Sequence, residues 1–367
     1  VRDFQRRFNR SPEGMWLAET AVDLATLETL AGHGIAFTIL APHQAARIRP
    51  LGTLNWTYTG EALDVTQPYL VNLPSGRNIT VFFYDGPVSR AVAFEGLLSN
   101  GESFARRLTS AFSDRRDRPQ LVHIATDGES YGHHHKHGEM ALAYALDYVE
   151  RQQLAQLTNY GAFLERFPPT YEVEIVPNSS WSCVHGVERW RSDCGCNSGG
   201  HPGWNQRWRQ PLRSALDWLR DTLEAPFNVA AGELFLDPWG ARDQYIDVIL
   251  DRGQESIEKF FASQARRDLS LAERVRALKL MEMQRQLMLM YTSCGWFFDD
   301  ISGIETIQVI AYAGRAVQLA EELQLGGFES LFLDRLSAAP SNDPAHRDGA
   351  LIYEQFVTPA MVDLEQV

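Results

Sequence analysis

The stretch Ile35-Ala36-Phe37-Thr38-Ile39-Leu40 decides the fold class, because a run of apolar and β-branched residues predicts a strand that is buried on both faces. Similar runs occur at 80–84 and 121–125. Helical spacing of the apolar residues is found at 21–32, 103–112 and 139–156. Strands that alternate with helices in this way predict an α/β fold with a parallel sheet.

The sequence changes character twice beyond residue 176. The stretch 177–210 breaks every periodic pattern and contains four tryptophans and three of the four cysteines. Apolar residues then recur at three- and four-residue intervals, which predicts helices at 212–223, 241–264, 271–290 and 304–323. We therefore predict three parts, which are an α/β domain over 1–176, a Trp- and Cys-rich loop region over 177–210 and an α-helical domain over 211–367.

The composition excludes several classes of protein. Of the 367 residues, 44% are hydrophobic, which is enough apolar material for a buried core. The 34 basic and 47 acidic residues give a net charge of −13, and such a chain is repelled by nucleic acid and by anionic membrane surfaces. No apolar run is as long as a membrane span. We expect no nucleic acid or membrane partner, and we take the cytoplasm as the default location.

Two carboxylates occupy the positions where a parallel barrel carries its catalytic groups, just past the ends of strands. Asp127 lies two residues beyond the predicted strand 121–125, and Gly128 permits a sharp backbone path after it. Glu19 lies between a short predicted strand and a predicted helix. Paired carboxylates on neighbouring loops are the minimal machinery of glycoside hydrolysis, so these two residues are the candidate catalytic pair.

Each carboxylate also has a purely structural explanation. Glu19 could be an ordinary acidic residue in the first turn of a helix, where the helix dipole favours a negative charge. Asp127 could be a turn residue that is paired with Gly128 for its geometry. The spacing of the residues alone does not decide between these explanations and catalysis.

Two segments resemble a known family of enzymes. The segment Gly14-Met15-Trp16-Leu17-Ala18-Glu19 resembles the part of glycoside hydrolase family 57 that carries the catalytic nucleophile. The segment Ala125-Thr126-Asp127-Gly128-Glu129-Ser130-Tyr131-Gly132 resembles the Asp-Gly-Glu segment of that family, whose Asp is the general acid/base. The Cys-rich stretch and the segment 292–300 are similar to a bacterial branch of the family that has a C-terminal domain of unknown function.

This resemblance implies an incomplete (β/α)7-type parallel barrel, which lacks its first strands here and is followed by an α-helical domain. It implies a retaining hydrolase or transglycosidase for α-glucans, with Glu19 as the nucleophile and Asp127 as the acid/base. The implied partner is an α-glucan or oligosaccharide substrate, and no cofactor is implied. Two alternatives stay open: a hydrolase of another α-linked sugar, such as a galactoside or mannoside, and a non-catalytic carbohydrate-binding relative.

The opening of the chain departs from this family. The first strand of the family carries a His-rich motif that ends in Gln-Pro, and nothing of that kind precedes Glu19. We therefore expect a chain that lacks its natural beginning and is inactive by itself. A barrel without its first strand exposes strand edges and uncovers apolar residues, here Phe37, Ile39 and Phe82, so we also expect self-association through that edge.

Aromatic and polar residues close to the carboxylates or in irregular segments are the predicted substrate contacts. An exposed indole ring suits stacking on the apolar face of a sugar. The predicted sugar platforms are Trp16, Trp181, Trp190 and Trp296. Asp299 and Asp300 could each accept a hydrogen bond from a sugar hydroxyl. They could equally be a cap and a first-turn acid for the helix that begins near Ile304.

The histidines and cysteines raise the question of a metal. Consecutive histidines in an extended loop point in different directions, so at most two of His133, His134, His135 and His137 could share a metal. We predict instead that His133 donates a hydrogen bond to a sugar hydroxyl or to Asp127.

The Cys-rich stretch has irregular spacing for a structural zinc site. Its potential ligands are Cys183, His185, Cys194, Cys196 and His201. Buried thiols, one disulfide and bound zinc all stay open for this stretch, and we predict no metal. Cys294 is predicted to be a core cysteine near a helix end.

Overall fold

A computed structural model describes residues 1–60 and 63–361 of the chain. The chain divides into two compact units. The sheet unit is Ser11–Gly186. The helical unit joins Val1–Arg10, which contains the helix α1 (Arg2–Phe8), to Val187–Val367. Each unit has an apolar core of its own.

The sheet unit contains seven strands among the described residues, which are β1 (Gly14–Met15), β2 (Phe37–Leu40), β3 (Ala45–Pro50), β4 (Thr57–Tyr58), β5 (Tyr69–Asn72), β6 (Asn78–Phe83) and β7 (Tyr171–Ile175). They form one sheet in the order β1-β2-β6-β5-β7-β3-β4. The pairs β1–β2, β2–β6 and β5–β7 are parallel, and the other three pairs are antiparallel. The predicted α/β class is confirmed, but the described part of the sheet is mixed and does not close into a barrel.

Five helices accompany this sheet in the part of the unit that is described, namely α2 (Leu24–Gly32), α3 (Gly86–Phe94), α4 (Gly101–Thr109), α5 (Gly138–Arg151) and α6 (Tyr160–Arg166). Side-chain caps fix where the first of them begins. The Asp23 carboxylate accepts a hydrogen bond of 2.7 Å from the Thr26 N–H, which satisfies an amide of the first turn of α2. This cap ends the loop that carries Glu19, so the position of the candidate nucleophile is set relative to α2.

The neighbouring parallel strands β2 and β6 are buried on both faces, as their continuous apolar sequence predicts. Leu40 and Phe83 belong to the main core cluster of the sheet unit. Phe37 and Phe82 belong to a second cluster, in which they pack against Phe163 of α6. The β-branched Thr38 is accommodated because its hydroxyl donates a hydrogen bond of 2.8 Å to the Met15 carbonyl.

The prediction that apolar residues of these strands are uncovered is wrong. Phe37 is 9% exposed and Phe82 is fully buried. The reason is that α6 covers them, with the Tyr160 ring centroid 5.6 Å from Phe37 and 5.0 Å from Phe82. Ile39 is partly buried against the same cluster.

The prediction of a strand at 121–125 is also wrong, because this segment joins no strand ladder in the described structure. It makes two isolated backbone contacts, in which the Leu121 N–H donates to the Thr66 carbonyl and the Asp85 N–H donates to the His123 carbonyl, each at 2.9 Å. An apolar groove of about 680 Å³ borders the segment. A strand ladder requires a regular series of such pairs, which this segment lacks.

The helical unit contains eight further α-helices among the described residues, which are α7 (Arg209–Gly232), α8 (Pro238–Gln244), α9 (Ile246–Leu250), α10 (Gln254–Gln264), α11 (Leu271–Leu289), α12 (Ile304–Glu322), α13 (Glu329–Leu336) and α14 (Gly349–Ile352). The predicted helix 241–264 is three helices, because the chain leaves helical geometry at Asp251 (φ −148°, ψ 101°) before Gly253 caps α10. Cys294 is exposed, so the prediction of a core cysteine is wrong.

No helix within residues 1–60 and 63–361 combines the length and the apolar character that crossing a lipid bilayer requires.

Candidate active site

Glu19 lies in a single turn of 3-10 helix, Ala18–Thr20, directly after β1. Its backbone is left-handed, with φ 57° and ψ 17°, and Thr20 after it is also left-handed, with φ 49°. Two successive non-glycine residues in this region are unusual, and a β-branched threonine there is a genuine outlier. The predicted position of Glu19, between a short strand and a helix, is confirmed.

The Glu19 carboxylate is held by two donors from the loop after β7. The Trp181 indole Nε1 donates to Glu19 Oε2 at 2.9 Å, and the Ser182 hydroxyl donates to the same oxygen at 2.7 Å. The Trp181 backbone N–H also donates to the Glu19 carbonyl at 3.0 Å. Hydrogen bonds to an ionised group are stronger than neutral ones, so this carboxylate has a defined orientation.

Asp127 lies at the end of the segment 121–125, where it precedes the single turn Gly128–Ser130. Partial burial raises the pKa of the Asp127 carboxyl above its usual value, and the negative charges of Glu19 and Glu129 raise it further. His134 opposes this effect and lowers the pKa.

A pocket of about 460 Å³ opens at Asp127 in the sheet unit. Trp16 and Trp181 line it, and their rings meet edge to face with centroids 4.9 Å apart. Trp16 is 40% exposed, so part of its ring is available to a ligand. Tyr131 lines the same pocket, and its hydroxyl accepts a hydrogen bond of 3.0 Å from the Thr126 hydroxyl. The structure therefore places Trp16, Trp181 and Asp127 around one cavity, with Glu19 bonded to Trp181.

The histidine cluster differs from its prediction. His133 is exposed and its ring packs on His134, with centroids 4.9 Å apart. His134, not His133, is the histidine whose charge acts on the pKa of Asp127. His135 makes a hydrogen bond of 3.0 Å with the Ala93 carbonyl. A contact between His133 and a sugar stays a prediction.

Three predicted substrate contacts lie in the helical unit, and two of them, Trp190 and Asp299, have hydrogen-bond partners there. Trp296 is 1% exposed inside the helical core, so it offers no free face to a sugar, and its prediction as a platform is corrected. The half-buried Trp190 donates from Nε1 to the Ser293 carbonyl at 3.1 Å. The buried Asp299 accepts from the Ser198 N–H at 2.6 Å and from the Ser198 hydroxyl at 2.7 Å. Substrate contacts by Trp190 and Asp299 stay predictions.

The cysteines form no disulfide in the described part of the chain, which contains all four of them. Cys183 is buried, and Cys194 and Cys196 are half-buried. The sheet unit contains Cys183 and His185, and the helical unit contains Cys194 and Cys196. Thiolate and imidazole are the donors that zinc prefers, so the zinc alternative of the sequence analysis stays open.

Sequence reasoning missed Ser182, which binds Glu19, and Gln44, which binds the next residue, Thr20. Ser182 directly follows Trp181, and nothing in its surroundings distinguishes a hydroxyl that binds a carboxylate from one that faces water. Gln44 is completely buried and binds both the hydroxyl and the carbonyl of Thr20. The one available signal was a long polar side chain in the short turn that follows the buried strand β2.

Comparisons with known proteins give matches for most of the chain. Residues 3–176 match the family model described as glycosyl hydrolase family 57, and residues 204–367 match a domain of unknown function (DUF3536). The comparison with curated proteins found no match.

Several solved structures share the fold. An exo-type maltose-forming amylase from Pyrococcus sp. ST04 is 15% identical with a TM-score of 0.68, over 97% of this chain and 70% of the amylase. The alpha-amylase AmyC from Thermotoga maritima is 13% identical with a TM-score of 0.52, over 96% of this chain and 67% of that protein. A GH57 branching enzyme from Thermococcus kodakaraensis is 16% identical with a TM-score of 0.50, over 99% of this chain and 66% of that enzyme.

Residues 3–176 of this chain match glycosyl hydrolase family 57, which supports an enzyme of the glycoside hydrolase type, and the domain of unknown function follows the matched region.

Proposed function

We propose that this protein cleaves or transfers α-linked glucosyl units by a retaining double displacement, with Glu19 as the nucleophile and Asp127 as the general acid/base. The observation that carries the proposal is the position of Trp181, which lines the pocket at Asp127 and donates a hydrogen bond of 2.9 Å to Glu19. The charge of Glu19 is also one of the causes that raise the pKa of Asp127. A retaining pair needs one ionised carboxylate and one protonated carboxylic acid roughly 5–5.5 Å apart.

The first step transfers the sugar to the protein. Asp127 gives its proton to the glycosidic oxygen, the bond from that oxygen to C1 breaks, and a carboxylate oxygen of Glu19 forms an ester bond to C1. The raised pKa of Asp127 supports its role here, because a larger fraction of the carboxyl carries the required proton. The hydrogen bonds from Trp181 and Ser182 support the role of Glu19, because they orient its carboxylate.

The second step releases the sugar. Asp127, now a carboxylate, takes a proton from water or from the hydroxyl of an acceptor sugar. The oxygen of that molecule bonds to C1, and Glu19 leaves as a carboxylate. Hydrolysis and transfer differ only in which hydroxyl reaches C1 in this step.

The substrate class rests on the wall of the pocket and on the similar structures. Trp16 and Trp181 provide apolar ring surface beside Asp127, which suits the apolar face of a glucosyl unit. The names of the similar structures, two amylases and a branching enzyme, support an α-glucan rather than another sugar.

Replacement of Glu19 by glutamine tests the proposal. The variant keeps the size of the side chain and removes the nucleophilic charge, so we expect kcat on maltooligosaccharides to fall by at least about a thousandfold while the fold is retained. Glu95→Gln is a matched control, because Glu95 is an exposed acid of the same unit whose partner is Arg90, and its turnover should be unchanged.

Three results would contradict parts of the proposal. A Glu19→Gln protein with most of the wild-type turnover would remove Glu19 from the mechanism. Turnover of an α-mannoside or α-galactoside but not of maltooligosaccharides would replace the substrate class. Binding of maltooligosaccharides without any turnover, even after the segment that we expect before Val1 is supplied, would make the protein a carbohydrate-binding relative.

A further inference from the structure

The backbone at the proposed nucleophile holds a conformation that side chains disfavour. Glu19 and Thr20 are both left-handed, and Thr20 is β-branched and fully buried. Such residues persist in folded proteins only where the surrounding structure holds them, and they cluster at functional sites. Some group must therefore hold Thr20 in place.

The Gln44 side chain is that group. Its Nε2 donates to the Thr20 carbonyl at 2.8 Å, and its Oε1 accepts from the Thr20 hydroxyl at 2.8 Å. Its remaining bonds are made by Oε1 with the Ala41 N–H at 2.9 Å and by Nε2 with the Ser179 hydroxyl at 3.1 Å. Four hydrogen bonds saturate a primary amide, and Gln44 has no exposed surface.

The orientation of this amide is unambiguous. The Ala41 N–H can only donate and the Thr20 carbonyl can only accept, so the oxygen and the nitrogen of Gln44 cannot be exchanged. The main chain of Gln44 is anchored as well, because its N–H donates to the Ala41 carbonyl and its carbonyl accepts from the Val176 N–H. Gln44 is therefore a rigid support.

The same amide connects the two segments that form the nucleophile site. Thr20 directly follows Glu19, and Ser179 lies three residues before Ser182, which donates to Glu19. We propose that Gln44 is a positioning residue that fixes the orientation of the Glu19 carboxylate by holding Thr20 in its left-handed conformation. This inference rests on the proposed function, in which Glu19 is the nucleophile.

Gln44→Met is the appropriate variant, because methionine has a similar size and removes all four hydrogen bonds. Gln67→Met is the matched control, since Gln67 is a buried amide of the same unit that binds the Tyr69 hydroxyl and does not touch Thr20. Both variants lose a buried amide, but only Gln44→Met loses hydrogen bonds to Thr20, so an effect specific to Thr20 should appear in Gln44→Met alone.

The first measurement does not require turnover. Hydrogen exchange of the backbone amides of Thr20, Ala21 and Val22 should be roughly tenfold faster in Gln44→Met than in wild type. Exchange at these amides in Gln67→Met should match wild type. Unchanged exchange in Gln44→Met would overturn the inference, whatever the activity of the protein.

The second measurement tests positioning during the reaction. We expect Gln44→Met to lower kcat about a hundredfold with KM within about twofold of wild type, because misplacement of a reacting group by about 1 Å has an effect of this size. The same substitution is then made in a Glu19→Gly protein, in which added azide takes the place of the missing carboxylate as the nucleophile. Azide forms a bond to C1 of 4-nitrophenyl α-maltoside, and nitrophenolate leaves with the electrons of the broken bond. Here Gln44→Met should lower the rate by less than about threefold.

The two backgrounds separate the possible failures. An equal loss from Gln44→Met in both backgrounds would show that Gln44 supports the whole pocket rather than Glu19, and the inference would be wrong. A Glu19→Gly protein that keeps full activity without azide would instead refute the proposed function. The exchange measurement would still decide whether Gln44 holds the backbone at Thr20.

Discussion

Replacement of Asp300 by alanine should destabilise the helical unit strongly, because the buried carboxylate accepts four hydrogen bonds from three residues. It accepts from the Ser302 N–H at 2.9 Å and from the Ser341 hydroxyl at 2.8 Å. It also accepts from the backbone N–H of Asn342 at 2.5 Å and from the side-chain amide of Asn342 at 2.9 Å. Asp300 itself is 3% exposed.

The size of the effect follows from the donors that lose their acceptor. The Ser341 hydroxyl and the Asn342 side chain can turn to other acceptors, but the two backbone N–H groups cannot. Each buried N–H that is left without an acceptor costs about 1–3 kcal/mol, so the free energy of unfolding should fall by roughly 2–6 kcal/mol. Domains are typically stable by about 5–15 kcal/mol, so the variant should be folded but clearly weakened.

The effect should depend on pH in a defined direction. Burial raises the pKa of Asp300, but the hydrogen bonds from Asn342, Ser302 and Ser341 together hold the pKa below its ordinary value of 3.8. A pKa that is lower in the folded state than in the unfolded state stabilises the protein above the unfolded value, and this contribution is lost as the pH falls through the folded value. The difference between wild type and Asp300→Ala should therefore be constant near pH 7 and smaller below pH 3.8.

Urea unfolding followed by circular dichroism, once near pH 7 and once below pH 3.8, measures the difference in the free energy of unfolding between wild type and Asp300→Ala. Asp243→Ala is the control, because Asp243 is an exposed acid of the same unit that pairs with Arg242, and its loss should change the free energy of unfolding by less than about 0.5 kcal/mol. The reasoning is refuted if Asp300→Ala is as stable as Asp243→Ala at pH 7. A raised KM for maltooligosaccharides in a stable Asp300→Ala protein would indicate the substrate role that the sequence left open.

Three further predictions concern the sheet unit. Asp127→Asn should still form the covalent intermediate from 4-nitrophenyl α-maltoside, because nitrophenolate needs no proton, and azide should speed its release; equal losses on natural and activated substrates without an azide effect would make Asp127 a turn residue. Glu129→Gln removes a negative charge that raises the pKa of Asp127, so the alkaline limb of the kcat/KM profile should move to lower pH, and an unmoved or rising limb would contradict this. Phe163→Ala should lower the free energy of unfolding by about 3–5 kcal/mol in urea, and a loss below about 1 kcal/mol would show that α6 does not cover Phe37 and Phe82.

The sequence by itself determined the features that depend on neighbours along the chain. The apolar run of β2 and the helical periodicities of α11 and α12 predicted those elements within a few residues, because a strand or a helix buries its faces at a fixed spacing. The segments around Glu19 and Asp127 indicated the family whose model matches residues 3–176.

Only the tertiary structure decided the features that depend on residues far apart in the chain. Gln44 reaches Thr20 across 24 positions and Ser179 across 135, so no local pattern contains their contact. The segment 121–125 has the composition of a strand but lacks a regular pairing partner in the described fold. Trp296 has the side chain of a sugar platform, but it lies in the helical core. Burial, hydrogen-bond partners and pKa values are properties of the assembled surroundings of a side chain, and those surroundings exist only after the chain has folded.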